Sequence, residues 1–156
     1  MTWMLLACAQ GDGLVAEEGP EAYVGEPGTY YELGPADDPN GLGFLLEAGE
    51  DTWTMKEGET WINGTELFSV AVEASKDGLS VGGTQLLPDS VEEGASGDGV
   101  TVVSRGEVYV YYGTFPDAVT VEVSSGDWAG TQVFARDIGP IVLTWQGTER
   151  ELRYYE

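Results

Sequence analysis

The sequence has no histidine. That removes the commonest general base and the commonest metal ligand, so any catalysis would rest on carboxylates, tyrosines or hydroxyls. There is one cysteine, Cys8, so no internal disulfide can form. No apolar run approaches the roughly 20 residues of a spanning helix. Basic residues are few: 6 Lys and Arg stand against 28 Asp and Glu, a formal charge of −22. Such a field repels a phosphate backbone, so nucleic acid is not an expected partner. An acidic, lysine-poor surface fits a soluble protein, and salt would relieve its self-repulsion. Nucleophile motifs are missing as well. There is no G-x-S-x-G, a Ser-His-Asp triad is impossible without histidine, and no Gly-Lys-Ser/Thr phosphate loop occurs. Arg105, Arg136, Arg150 and Arg153 are scattered and are expected to pair with neighbouring carboxylates.

What the sequence does contain is β pattern. The 156 residues suit one domain plus a tether. In DAVTVEV, Val119, Val121 and Val123 alternate with Thr120 and Glu122. Val108, Val110 and Tyr112 share a face, as do Phe68, Val70, Val72 and Ala74, and Ile141, Leu143 and Trp145. Period-two alternation predicts strands with one buried face. Turn formers punctuate them: Asn63-Gly64, Lys76-Asp77-Gly78, Gly97-Asp98-Gly99, Gly113, Gly126-Asp127 and Gln146-Gly147. The expected fold is all-β, a curled antiparallel sheet forming a half-barrel or barrel-like sandwich, preceded by an N-terminal signal and a disordered tether. TYYEL (29–33) is a candidate short strand. Asp89–Glu93 after Pro88 is at most a one-turn helical connection. Gly78, Gly113 and Gly139 fall where strands start or bend, and Pro140 predicts an edge or a bulge. Trp53, Trp61, Phe68, Phe115, Phe134 and Trp145 are expected in the core, with a ligand-binding aromatic lining as the alternative.

The order of these segments carries a resemblance. FLLEAGEDTWTM (44–55), SKDGLSVGG (75–83), QLLP (85–88), YYGTFPDAVTVEV (111–123) and VFARDIGPIVLTW…ERELRYY (133–155) together resemble the TapB-like family of small bacterial secreted proteins and lipoproteins of unknown function. The likeness covers about residues 42–156. It implies an antiparallel β domain in the periplasm or on the cell surface, and it implies no enzymatic activity.

Cys8 is the candidate modification site. Leu5-Leu6-Ala7-Cys8 resembles a bacterial lipobox, with an apolar stretch, a small residue before the cysteine and a flexible segment after it. The expected domains are a signal over 1–8, an acidic tether over 9–41 and a β domain over 42–156. A flexible chain of about 20 residues would span about 25 Å. Lipid on Cys8 would anchor the protein to a membrane. Ala9, in place of Asp, favours the outer membrane by analogy with enterobacterial sorting.

Two further chemistries are suggested by the acidic residues. The adjacent pairs Glu17-Glu18, Asp37-Asp38 and Glu92-Glu93 raise a glycosidase, which needs two carboxylates about 5–9.5 Å apart across a cleft. DDPNG (37–41) and GDG (97–99) offer oxygen ligands for calcium, but neither has EF-hand spacing and turn chemistry explains both. Neither a metal nor any other cofactor is therefore expected. The leading expectation is a lipid-anchored extracytoplasmic domain with a non-catalytic structural or interaction role. A carrier or sensor of an apolar ligand is the alternative, and a carboxylate hydrolase a distant third. A carrier should hold an open apolar cavity on the order of 300 Å³ or more. An interaction domain should show an exposed apolar patch instead.

Overall fold

A computed structural model describes residues 19–38 and 41–156. It holds a short 3-10 turn, Pro20–Tyr23, and twelve strands: β1 (Thr29–Gly34), β2 (Gly43–Ala48), β3 (Thr52–Gly58), β4 (Thr65–Ser75), β5 (Gly78–Val81), β6 (Thr84–Leu87), β7 (Ser96–Gly97), β8 (Val100–Val110), β9 (Gly113–Val123), β10 (Gly130–Ala135), β11 (Gly139–Trp145) and β12 (Thr148–Tyr155). They form one sheet of order β6-β5-β4-β3-β2-β1-β12-β11-β10-β9-β8-β7, antiparallel throughout. The expected curled all-β half-barrel is the fold observed.

The path of the chain explains the curl. It starts mid-sheet at β1 and meanders out to one edge at β6. Residues 88–95 then carry it to the other edge at β7, and it meanders back until β12 lies beside β1. The β1–β12 pairing runs from Glu151 opposite Gly34 to Tyr155 opposite Tyr31. Tyr30 and Glu156 extend it with reciprocal backbone bonds of 2.9 and 3.0 Å. The two free edges approach without pairing, and β6 packs across the interior on β8 and β9. β4 assists the bend: Thr65–Ala71 pair with β3, whereas Val72–Ser75 pair with β5.

The interior is filled by side chains. Tyr23, Tyr31, Leu33, Phe44, Leu46, Met55, Leu86, Phe134, Ile141 and Leu143 are fully buried. Val119, Val121 and Val123 point inward as their period predicts, while Thr120 and Glu122 do not join the core. β11 departs from simple alternation. Val142 and Thr144 are buried along with Ile141 and Leu143, so this strand is covered on both faces, whereas Trp145 is half-exposed. Pro140 sits at a register shift between β10 and β11, the bulge its missing N–H predicts.

Next to that bulge the ladder is continued by a side chain. The Gln132 carboxamide, with no exposed surface, donates to Trp128 O at 2.6 Å and Thr144 O at 3.1 Å, and accepts from Thr144 N at 2.8 Å. It stands in for a peptide group where β10 and β11 separate, leaving no backbone group of Thr144 unpaired.

Residues 9–41, expected as an acidic tether, are in part packed structure. Within them β1 is a central strand, Pro20 and Tyr23 are buried, and the 3-10 turn lies on β4 and β5. The physical reason is apolar content: Tyr23, Tyr31 and Leu33 bury enough surface to repay their ordering. Residues 88–95 form bends and turns without a helix. Among the described residues no helix is long and apolar enough to cross a membrane.

Candidate functional site

Cys8, the preceding signal over 1–8 and the Glu17-Glu18 pair lie outside the described residues. The other acidic candidates do not converge. Glu92 is bound by Arg105 at 3.1 Å. Asp37 and Asp38 sit in a loop whose carbonyls at Pro35, Asp38 and Gly41 all accept from the Arg153 guanidinium. Gly34, lacking a side chain, leaves the space that guanidinium occupies. Asp98 and Gly99 form the β7–β8 turn with φ of 50° and 83°. Among the described residues no three His, Cys, Asp or Glu side chains group as a metal site.

The strongest polar cluster is centred on Asp117 in β9. Its carboxylate accepts from the Tyr23 hydroxyl at 2.9 Å, Arg136 at 2.8 Å and Arg105 at 3.3 Å. Burial, together with the Asp117 carboxylate, pushes the Tyr23 hydroxyl up to about 12, so it remains a neutral donor across the physiological range. For Arg105, burial opposes the charge most strongly, but the hydrogen bond to Asp117 and the charges of Tyr23, Asp117 and Glu92 together outweigh it, and the pKa is raised. The cluster ties the 3-10 turn to β8, β9 and the β10–β11 turn. These bonds make the cluster a clasp between the elements that carry them. Beside it, the Tyr31 hydroxyl donates to Ile138 O at 2.6 Å, and burial raises its pKa. Gly139, at φ 106°, is needed here because a Cβ would overlap that hydroxyl.

Among the described residues, the inward-facing apolar side chains form one packed cluster. Two clefts, of about 340 and 330 Å³, are open surface grooves. One is lined by Glu32, Gly41, Gly58, Glu59 and Arg153 among others, the second mainly by Ser, Gly and Asp98.

Two aromatic surfaces stand out, at opposite ends of the strands. At the β8–β9 turn and the end of β12, Tyr109 is 79 % exposed, Tyr111 54 %, Tyr112 47 % and Tyr154 42 %. Tyr112 packs on Phe115 and Tyr155, with ring centroids 6.0 and 5.4 Å apart. The turn is held over β12 by Tyr112 N to Leu152 O at 3.1 Å and Tyr111 N to the Glu151 carboxylate at 3.0 Å. Alternation placed Tyr112 on the inner face with Val108 and Val110. β8 ends at Val110, so the period stops and the ring turns outward.

At the far end Phe68, Trp128 and Trp145 pack with centroids 4.8 to 5.6 Å apart, and Trp53 extends the cluster. Of the expected core aromatics, Trp53, Phe115 and Phe134 are buried, while Phe68 and Trp145 are half-buried and line a notch here. Trp61 is outside the core. It lies against Tyr30 and under the Lys56 ammonium, 4.3 Å from the ring centroid. Trp128, next to a turn signal, has no neighbour in a period-two pattern. Its burial follows only from the fold.

The architecture defines a curled, all-antiparallel half-barrel with a filled core and aromatic surfaces at both ends. No family model, no curated protein and no solved structure matches the chain.

Proposed function

We propose that the chain is a non-catalytic, extracytoplasmic interaction domain, lipid-anchored through Cys8 at the bacterial outer membrane. One observation carries the interaction role: the exposed tyrosine patch of Tyr109, Tyr111, Tyr112 and Tyr154. Tyrosine supplies large contact area at low entropic cost and is enriched where proteins meet. Glu151 and Glu156 bond to groups of this patch, and the chain as a whole is strongly acidic. The partner it fits is an extended protein segment bearing Arg or Lys, whose cations would lie over the rings and against the carboxylates. The filled interior favours this reading over a carrier of an apolar ligand. The Leu5–Cys8 lipobox and the TapB-like segment order support the location.

The test is binding of a labelled Arg-rich extended peptide, followed by fluorescence anisotropy. The variant carrying Tyr109→Ser, Tyr111→Ser and Tyr112→Ser keeps the full charge. Its affinity should fall by about tenfold or more, equivalent to about 1.4 kcal/mol. Equal binding by both proteins would mean that the peptide senses net charge alone. For the anchor, intact-mass analysis of the host membrane fraction should find acylated Cys8, and unmodified Cys8 in soluble protein refutes it.

A further inference from the structure

The six basic side chains are all committed, and three of them lie over rings. Lys56 covers Trp61 at 4.3 Å, Arg150 covers Phe44 at 5.4 Å and Arg105 covers Tyr23 at 5.6 Å. Lys76 pairs with Asp77, Arg136 with Asp117, and Arg153 holds its loop. The notch at the β9–β10 and β11–β12 turns has rings but no cation. Phe68, Trp128 and Trp145 line it together with Val70, Val81 and Thr84. Asp127, an exposed residue, also lines it. Its carboxylate accepts one hydrogen bond, from Gln146 at 3.3 Å, and no Lys or Arg of the described residues forms an ion pair with it.

The geometry points to a binding site for a small quaternary ammonium ion in this notch. Its volume is about 140 Å³. A dry protein cavity of about 150 Å³ holds one benzene, so the notch has room for a trimethylammonium group. Ring faces attract a poorly hydrated cation, and quaternary ammonium is the cation that loses least by leaving water for such a wall. Asp127 adds the opposite charge to the lining. An anion is excluded by that carboxylate and by the chain's charge of −22. A choline-like free solute therefore fits better than a phosphocholine headgroup, whose phosphate would face Asp127. The notch lies at the strand ends opposite the tyrosine patch, so it is separate from the proposed protein-binding surface.

Trp128 and Trp145 are built-in reporters. The full chain is titrated with choline at constant ionic strength, and tryptophan fluorescence is read. Parallel titrations use 3,3-dimethylbutan-1-ol, the uncharged isostere of choline, and phosphocholine. Choline should bind saturably with a Kd on the order of millimolar, and the isostere and phosphocholine about tenfold more weakly. Asp127→Asn keeps the hydrogen bond from Gln146 and lies on an exposed turn, so folding is preserved. It should weaken choline by about tenfold and leave the isostere unchanged. Trp145→Ala should abolish the choline response of Trp128. An isostere that binds as well as choline, an Asp127→Asn variant with unaltered choline affinity, or no saturable choline response in the millimolar range each overturns the assignment. Phosphocholine binding at least as tightly as choline would overturn the free-solute choice and assign the notch to a lipid headgroup.

Discussion

Replacing Gln132 with Leu tests the side-chain splice between β10 and β11. The substitution keeps approximate volume and removes three hydrogen bonds made inside the protein. Thr144 N, Thr144 O and Trp128 O then lose this partner in a place water does not reach. Each buried orphan costs about 1–3 kcal/mol, partly offset because the amide itself no longer needs desolvating. A net loss of about 4 kcal/mol follows, a large share of a total that is typically about 5–15 kcal/mol. With a urea m-value of about 2 kcal/mol/M, the midpoint should fall by about 2 M, followed by tryptophan fluorescence. Gln132→Glu sharpens the test. At pH 7 its carboxylate would face two carbonyl oxygens and should destabilise more than Leu. The buried acid has a raised folded-state pKa, so its penalty is smallest below the unfolded value of about 4.3 and grows as pH rises through the folded value. The Glu variant should therefore recover, relative to the parent, between pH 7 and pH 4. A loss under about 1 kcal/mol for Leu, or no pH dependence for Glu, would refute the role given to this amide.

Gly139→Ala should cost more than about 2 kcal/mol, because the new Cβ meets the Tyr31 hydroxyl at a positive φ; Tyr31→Phe in the same chain should recover part of it. Strict additivity in the denaturation cycle would refute that contact. The Tyr23 hydroxyl is raised from 10.0 to about 12, so its stabilisation is complete below pH 10 and is lost as pH rises towards 12. Tyr23→Phe should flatten part of that alkaline slope in Tm, and an unchanged slope would show that the hydroxyl is not held as described. With a charge of −22, adding sodium chloride from low ionic strength should raise Tm by screening self-repulsion, and a falling Tm would contradict it.

Much of the fold was legible from local pattern, because a strand with one wet face writes its burial into alternate residues. Val119, Val121 and Val123 are the clear case, and glycine-centred turns mark the hairpins between strands. β11 was half legible: Ile141 and Leu143 alternate, but burial of Val142 and Thr144 depends on what covers the outer face. Trp61 and Tyr112 were misplaced for the same reason, since a loop aromatic carries no period to follow. TYYEL was legible as a strand and is β1, whereas the packing of Tyr23 was hidden within an acidic, glycine-rich stretch whose average composition resembles a tether.

The amino-acid sequence by itself determined the class of structure, the excess of negative charge and the chemistry it forgoes without histidine. Those are properties of residue type and near-neighbour spacing. The tertiary structure alone decided that the first and last strands meet, that Asp117 gathers Tyr23, Arg105 and Arg136, and that Phe68, Trp128 and Trp145 share one notch with Asp127. Each of these joins residues far apart in the chain. Strand pairing and the curl of the sheet bring them within bonding distance, and no local pattern records either.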